Sequence, residues 1–167
     1  MTSKHLSARE LVLYALLAAV MYAGKMALAF LPNIEPVSTL VIVYTLVFGR
    51  KALWPIYGYV AREWVTWGIS AWSFNYLYVW LLLFLVTRAL RHMESPLNWA
   101  VLSGGFGLCF GLLCAPAYGL IGGWGYAVSW WLSGIPYDLL HCAGNFALTL
   151  VLYKPCLRVL GELNARY

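Results

Sequence analysis

Residues 10–31 read ELVLYALLAAVMYAGKMALAFL, and this stretch decides the fold class of the chain. Crossing the hydrocarbon core of a bilayer takes about 20 apolar residues in a helix, so the run is long enough to span a membrane. Its end, Ala27-Leu28-Ala29, is like the cleavage site of a signal peptide. Because further apolar segments follow, we interpret the run as a retained first helix.

The composition of the whole chain leads to the same class. Of its 167 residues, 63% are hydrophobic and 10% are charged. Soluble domains contain about 25% charged residues, and one core in a chain of this length does not absorb so much apolar surface. We therefore predict an all-α integral membrane protein that forms a single membrane domain over residues 1–167.

Six apolar segments are predicted along the chain. They cover residues 10–31, 37–48, 52–67, 74–90, 97–120 and 136–153. The second is short for a span, and the fifth is rich in glycine. Residues 119–134, between the last two segments, are interpreted as an apolar loop that holds Trp124, Tyr126, Trp130 and Trp131.

The basic residues predict the topology. Nine of the 11 lysines and arginines lie at the termini and in the second and fourth connections, namely Lys4, Arg9, Arg50, Lys51, Arg88, Arg91, Lys154, Arg158 and Arg166. The other connections contain none, so the positive-inside rule predicts six transmembrane helices with the N and C termini cytoplasmic. Because the basic residues flank apolar runs and form no patch, the net charge of +5 does not indicate a nucleic-acid partner.

Four charged residues lie inside apolar segments: Lys25, Arg62, Glu63 and Asp138. A charge at the centre of a span costs about 2.5 to 3.5 kcal/mol, so such residues are functional candidates. Lys25 either has such a role or extends outward to the interface. Arg62 and Glu63 are sequence neighbours that point about 100° apart, so we expect Arg62 to pair with Glu35 or Asp138 on another helix.

The last segment carries a polar stripe. Asp138, His141 and Asn145 are spaced by three and four residues and share one helix face. The stripe either lines a ligand site or makes hydrogen bonds between helices, both of which occur in membrane proteins.

Aromatic residues are abundant, with nine Trp and 12 Tyr. Several crowd the predicted outer ends of the third and fourth segments: Trp67, Trp72, Tyr76, Tyr78 and Trp80. Such rings form either a belt at the lipid interface or the wall of a pocket for a flat heterocycle.

A ridge of small residues runs along the first segment, where Ala15, Ala19 and Ala23 recur at every fourth position. Such a ridge allows another helix to approach closely. The chain has no P-loop, HExxH or GxSxG sequence, and Asp138 with His141 is the only candidate catalytic pair. We predict no cofactor and no metal site; a small membrane enzyme using that pair and a structural membrane subunit remain alternatives.

The chain resembles the S components of energy-coupling factor transporters, which are the substrate-binding subunits of vitamin importers. The resemblance rests on the length, the six helices, the cytoplasmic ends, the alanine ridge and two local runs. The runs are Leu31-Pro32-Asn33-Ile34-Glu35 and His141-Cys142-Ala143-Gly144-Asn145. Nickel and cobalt members begin with Met-His, whereas this chain has Thr2, which argues against a metal substrate.

The resemblance implies a location in the prokaryotic cell membrane and docking of Ala15, Ala19 and Ala23 on a membrane T component driven by two cytoplasmic ATPases. It implies that the S component topples in the membrane and carries a vitamin-like substrate inward. The sequence does not distinguish between cobalamin, queuosine precursors, riboflavin and folate-like compounds as the substrate. The positions that match the family's pocket are Asn33, Glu35, Trp72, Asn75, Tyr76, Trp130, Asp138, His141 and Asn145, and we add Arg62 as a candidate because of its buried charge.

Overall fold

The structure, a computed structural model, describes residues 6–166. In this part of the chain it contains α-helices and one 3-10 turn and no β-strand, so the all-α class is confirmed. The elements are α1 (Ala8–Ala27), α2 (Val37–Phe48), the 3-10 turn (Gly49–Ala52), α3 (Leu53–Trp67), α4 (Ala71–Ala89), α5 (Pro96–Leu108) and α6 (Phe110–Asn164). Thr2 and Lys4, used in the sequence argument, lie outside the described residues.

Local caps set where α1 and α4 begin. The Ser7 side chain accepts a hydrogen bond from the Glu10 backbone N–H, and the Glu10 carboxylate accepts one from the Ser7 N–H in return. Ser70 and Ser73 make the same reciprocal pair before α4. This capping box satisfies N–H groups that the first helical turn leaves free, and it starts α4 three residues before the predicted boundary.

α2 is the central element of the bundle. Ten of its 12 residues are buried, and it packs against α1, α4 and α6. This explains why its sequence is apolar on every face. With a rise of about 1.5 Å per residue it is about 18 Å long, so it is shorter than the hydrocarbon core of about 30 Å.

Side-chain contacts show how the helices run. Glu10 at the start of α1 forms an ion pair with Lys51, and Lys25 near its end forms one with Glu63. α1 and α3 are therefore parallel, and α2 runs back between them. We call the end of the bundle with Arg9, Arg50, Lys51, Arg88 and Asn164 the basic end.

The remaining helices continue this alternation. Phe106 near the end of α5 packs on Trp80 of α4, and Trp99 near its start stacks on Tyr153 of α6. α5 therefore leads away from the basic end, and the long second part of α6 returns to it, where Asn164 donates a hydrogen bond to the Val47 carbonyl.

The predicted fifth segment, 97–120, is helical apart from a one-residue interruption. α5 ends at Leu108 and α6 begins at Phe110, and Cys109 between them keeps right-handed helical dihedrals, with φ of −89° and ψ of −2°. Nearby, Gly107 lies against the α6 backbone, where an added Cβ would come within 2.8 Å of the His141 carbonyl oxygen. The glycines therefore permit close helix packing, which a hydropathy profile does not reveal.

The predicted apolar loop over residues 119–134 is wrong, because this stretch is helical. α6 is interrupted within it at Gly123, whose φ of 80° and ψ of 171° suit glycine. Residues 110–122 and the start of 124–164 form a hairpin in which Tyr118 stacks on Trp130 with ring centroids 4.1 Å apart. A helix satisfies its own backbone in apolar surroundings, whereas an open loop does not.

The outer faces of the bundle are apolar. In the described part of the chain, three helical stretches are long and apolar enough to cross a membrane: 8–27, 37–67 and 96–164. Large side chains such as Leu120, 91% exposed, and Val65 cover the outside. These properties are compatible with a membrane protein, because lipid covers such surfaces at no cost.

Candidate functional site

A cavity of about 280 Å³ opens at the end of the bundle opposite the basic end, which we call the cavity end. Its walls come from the end of α1, the connection 28–36, the end of α3, the start of α4, and α6. Five of the residues selected from the sequence line it: Asn33, Glu35, Trp72, Tyr76 and His141. The fold thus gathers these five residues from three separate parts of the chain, 33–35, 72–76 and 141, around one space.

A second recess, of about 290 Å³, adjoins the cavity. The two share Lys25, Trp67, Trp72 and Tyr76, and the recess extends to Glu63. The shared aromatic residues form a partial wall between them.

One side of the cavity is a chain of aromatic contacts. Trp72 lies 6.0 Å, between ring centroids, from both Tyr76 and Phe110. The Trp72 indole N–H also donates a hydrogen bond to the Tyr76 hydroxyl at 3.3 Å. Phe110 in turn contacts the His141 ring edge to face at 4.8 Å. These contacts hold the ring planes in place and create a rigid, largely apolar surface.

Lys25 and Glu63 form an ion pair between α1 and α3 at the border of the cavity. The lysine ammonium also lies 3.5 Å from the Tyr76 hydroxyl and 5.4 Å from the centre of that ring. The ion pair replaces the interpretation in which Lys25 extends outward to the interface. Lys25 and Glu63, two of the four charged residues inside apolar segments, therefore neutralise each other.

Glu35 lies in the connection between α1 and α2, with its side chain partly buried. Burial raises the pKa of this carboxyl to about 6, the nearby Lys25 opposes the rise, and Glu63 adds to it. Among the residues that the structure describes, Glu35 has no ion-pair partner. Asn33, two residues earlier, has a φ of 55° and donates a hydrogen bond to the Tyr137 carbonyl at 3.3 Å, which ties this connection to α6.

His141 is 3% exposed and lines the cavity. Neither ring nitrogen has a hydrogen-bond partner within residues 6–166. Buried polar atoms are normally satisfied, so an imidazole left without partners in a cavity wall marks a place where a ligand or water completes the bonding.

Asp138 lies one turn earlier in α6 and outside the cavity lining. One carboxylate oxygen accepts the Gly111 backbone N–H at 3.0 Å, and its other oxygen has no partner among the described residues. No hydrogen bond joins Asp138 to His141 within that same part of the chain. The candidate catalytic pair is therefore not assembled.

Asn145 joins three helices. Its amide nitrogen donates to the Ser38 hydroxyl at 3.0 Å and to the Ser103 carbonyl at 3.3 Å, and its side chain is fully buried. One turn further, Thr149 shares a hydrogen bond of 2.7 Å with Thr39. The stripe on α6 therefore changes character along its length: its cavity end offers a free imidazole, whereas its deeper part holds helices together.

Two other sequence candidates lie behind the cavity wall. Asn75 is buried and accepts a hydrogen bond from the Tyr78 hydroxyl at 2.8 Å. Trp130 packs on Trp72 with centroids 6.1 Å apart and stacks on Tyr118. Neither lines the cavity: Trp130 supports Trp72, which does, whereas Asn75 is bonded to Tyr78, which lies outside the lining.

The prediction that Arg62 pairs with Glu35 or Asp138 is wrong. Arg62 is exposed, donates to the Thr66 hydroxyl at 2.6 Å and lies 4.6 Å from the Tyr22 ring centre. It pairs with neither Glu35 nor Asp138. Glu63 turns inward to Lys25, so the preceding residue, about 100° around the helix, faces outward.

Nine lining residues were not among the sequence candidates for the site, and they include Lys25, Trp67 and Phe110. Lys25 and Trp67 carried visible signals, an intramembrane charge and a clustered aromatic ring. Phe110 carried none, because its contacts with Trp72 and His141 arise only from tertiary packing.

The alanine ridge lies on the surface. Ala15, Ala19 and Ala23 are all exposed, on the face of α1 that points away from the bundle.

Comparison of the chain with protein-family models, with curated proteins and with solved structures found no match.

Proposed function

We propose that the protein is a substrate-binding S component of an energy-coupling factor type importer, which captures a vitamin-like micronutrient from outside the cell. The cavity at the end opposite the basic residues carries this proposal. It combines rigid aromatic walls with a few polar groups, the combination that small-molecule sites use for area and orientation.

The topology of the proposal is six membrane crossings with both termini in the cytoplasm of a prokaryotic cell. Two observations support it: the helices alternate in direction, and the basic connections gather at one end. With the basic end in the cytoplasm, the cavity opens to the outside.

Delivery of the substrate, in this proposal, uses the exposed face of α1. Ala15, Ala19 and Ala23 leave a shallow track along the helix where a membrane T component packs closely. Two cytoplasmic ATPases drive that component, and the S component topples to release its substrate inside. This scheme comes from the family resemblance, and the exposure of the ridge supports it.

The size of the cavity also limits which substrates fit. A volume of about 280 Å³ is near the lower limit of small-molecule pockets, which begin at about 300 Å³. It favours a flat heterocycle of the size of a queuosine precursor over cobalamin. A membrane enzyme is disfavoured because Asp138 and His141 form no pair, and a purely structural subunit does not require a cavity with an unpartnered imidazole.

The direct test is mass spectrometry of small molecules released from the purified protein. We expect one flat heterocycle to accompany the wild-type protein and the Arg62→Ala variant, whose altered side chain is outside the cavity. Trp72→Ala, which removes part of the aromatic wall, is expected to lose it. Absence of any bound compound, or equal retention by Trp72→Ala, would contradict the proposed function.

Docking is tested by a second pair of variants. Ala19→Trp fills the ridge and is expected to abolish co-purification with the membrane partner and its ATPases, while binding of the small molecule persists. Ala147→Trp, an exposed alanine on α6, is the matched control and should leave the complex intact. If the complex survives in both variants, the ridge has no role in docking.

A further inference from the structure

We propose that the cavity is selective for a flat organic cation, with the Glu35 carboxylate as the counter-ion. The inference rests on the proposed substrate-binding function and adds the charge class of the substrate. It follows from four features of the cavity: the balance of its charges, the position of Glu35, the aromatic wall and the free imidazole of His141.

The charges around the cavity do not balance. Three charged side chains border it and the adjoining recess, namely Lys25, Glu35 and Glu63. The ammonium of Lys25 is committed to Glu63, so this pair is close to neutral. The charge that remains is the negative charge of Glu35, and a cationic group on the substrate compensates it.

Glu35 is placed to act as this counter-ion. It lies in the connection that covers the cavity, and no cation among residues 6–166 forms an ion pair with it. The connection is also held in place, since Asn33 bonds to the Tyr137 carbonyl and Gly144 of α6 packs against Ile34. A carboxylate fixed at a partly buried site favours an opposite charge more strongly than a mobile one at the surface.

The aromatic wall favours the same charge. The faces of Trp and Tyr rings carry negative electrostatic potential and attract cations such as ammonium and guanidinium groups. Trp72, Tyr76 and Trp67 line the cavity, and Tyr76 already receives the Lys25 ammonium at 5.4 Å. A bound anion would face both these rings and the Glu35 carboxylate without a free cation to compensate it.

His141 supplies a polar contact for the substrate on the side of the cavity opposite Glu35. A neutral imidazole has one N–H donor and one acceptor nitrogen, and both ring nitrogens lack partners in the described chain. The acceptor suits an N–H group of a protonated amine or amidine, so the cation is oriented between Glu35 and His141, with its ring against Trp72 and Phe110.

The test uses three probes of nearly equal shape: naphthamidinium, naphthamide and naphthoate. Each is titrated calorimetrically into the intact purified protein in detergent, and titration into empty micelles corrects for partitioning. We expect naphthamidinium to bind at least about tenfold more tightly than naphthoate, with naphthamide between them. Glu35→Gln is expected to remove most of the difference, while Glu94→Gln, the same change at an exposed glutamate outside the cavity, preserves it.

The outcomes separate the two proposals. Tighter binding of naphthoate than of naphthamidinium, or a cation preference that survives in folded Glu35→Gln, overturns the charge assignment and leaves the substrate-binding function standing. Absence of binding by all three probes overturns the charge assignment, and together with the absence of any co-purified compound it overturns both. Because the wild-type order of the three probes is decisive by itself, the test holds even if Glu35→Gln does not fold.

Discussion

Lys51 pairs with Glu10 at the basic end while 57% of its side chain stays exposed, whereas at the cavity end the side chains of Lys25 and Glu63 are 21% and 5% exposed. The two pairs link α1 to opposite ends of α3, since Lys51 lies in the 3-10 turn just before α3 and Glu63 lies near its end. Exposed pairs contribute little to stability because water solvates each partner well. Buried pairs are costly to break, because the surviving charge is left without compensation.

The polar groups of the two ends differ in the same way. At the basic end, Asn164 binds the Val47 carbonyl and Ser7 caps α1 through Glu10. At the cavity end, His141 is buried without a partner, and Glu35 has no ion-pair partner in the described part of the chain. The polar groups named at the basic end therefore bind within the protein or face water, with the buried Thr87 hydroxyl as an exception, whereas the cavity end keeps His141 and Glu35 available for a bound molecule.

The largest expected effect is all-or-none and tests which way the two ends face. Asn33→Cys and Trp124→Cys at the cavity end, and Arg91→Cys at the basic end, are introduced into a chain whose own cysteines are replaced. The cysteines to remove are Cys109, Cys114, Cys142 and Cys156. An impermeant thiol reagent applied to intact cells should label the first two variants, and Arg91→Cys only after permeabilisation. The reverse pattern would contradict the orientation.

The next effect concerns the buried ion pair. Glu63→Gln leaves Lys25 without its partner and should destabilise the protein by about 3 to 5 kcal/mol, measured by thermal unfolding in detergent and by folded yield. Glu10→Gln, the matched change in the exposed pair, should have little effect. The double variant Lys25→Met with Glu63→Leu should regain stability, since no charge is left uncompensated. Equal losses from Glu63→Gln and Glu10→Gln would show that the two ends do not differ.

Asn145 tests the deeper part of the polar stripe. Asn145→Leu removes the donor for Ser38 and for the Ser103 carbonyl, and should lower stability by about 1 to 3 kcal/mol. Probe affinity, measured on the folded fraction, should stay unchanged because Asn145 does not line the cavity. Asn98→Leu, at an exposed position of α5, is the control. A loss of affinity with unchanged stability would return Asn145 to the binding site.

The smallest effect is a pH dependence at the cavity end. With the pKa of Glu35 raised to about 6, this carboxyl is ionised above that pH and protonated below it. Affinity for naphthamidinium should therefore fall as pH decreases through about 6, by up to about tenfold in total, by linkage. The other charged and titratable groups that line the cavity are Lys25 on α1, Tyr76 on α4 and His141 on α6, and Glu63 on α3 lines the adjoining recess.

Glu35→Gln separates the contribution of Glu35 from those four groups, because they remain in the variant. Its affinity should be weaker at neutral pH and nearly independent of pH. In the unliganded protein the sign for stability is opposite: a raised carboxyl pKa means that stability falls as pH rises from 4.5 through about 6. An unaltered pH profile in Glu35→Gln would exclude Glu35 as the titrating group.

The sequence by itself determined the helical class and several element boundaries. α2 coincides with the predicted segment 37–48, and α3 differs from its prediction by one residue. Long apolar runs bounded by Pro, Gly and basic residues specify such helices locally, since the signals lie within the segment itself. The polar stripe and the clustered rings indicated three of the residues that line the cavity, His141, Trp72 and Tyr76, whereas Asn33 and Glu35 were selected through the family resemblance.

Only the tertiary structure decided which of those residues face one another. Glu63 turned to Lys25 and left Arg62 outside, and Asn145 joined helices while His141, one turn away, stayed free. The helical hairpin around Gly123 also depended on packing, because a glycine-rich apolar run is compatible with a loop, a helix or a kink. Periodicity specifies which face of a helix a residue occupies; the partner that this face meets is set by the rotation and close approach of neighbouring helices, which arise from the whole bundle.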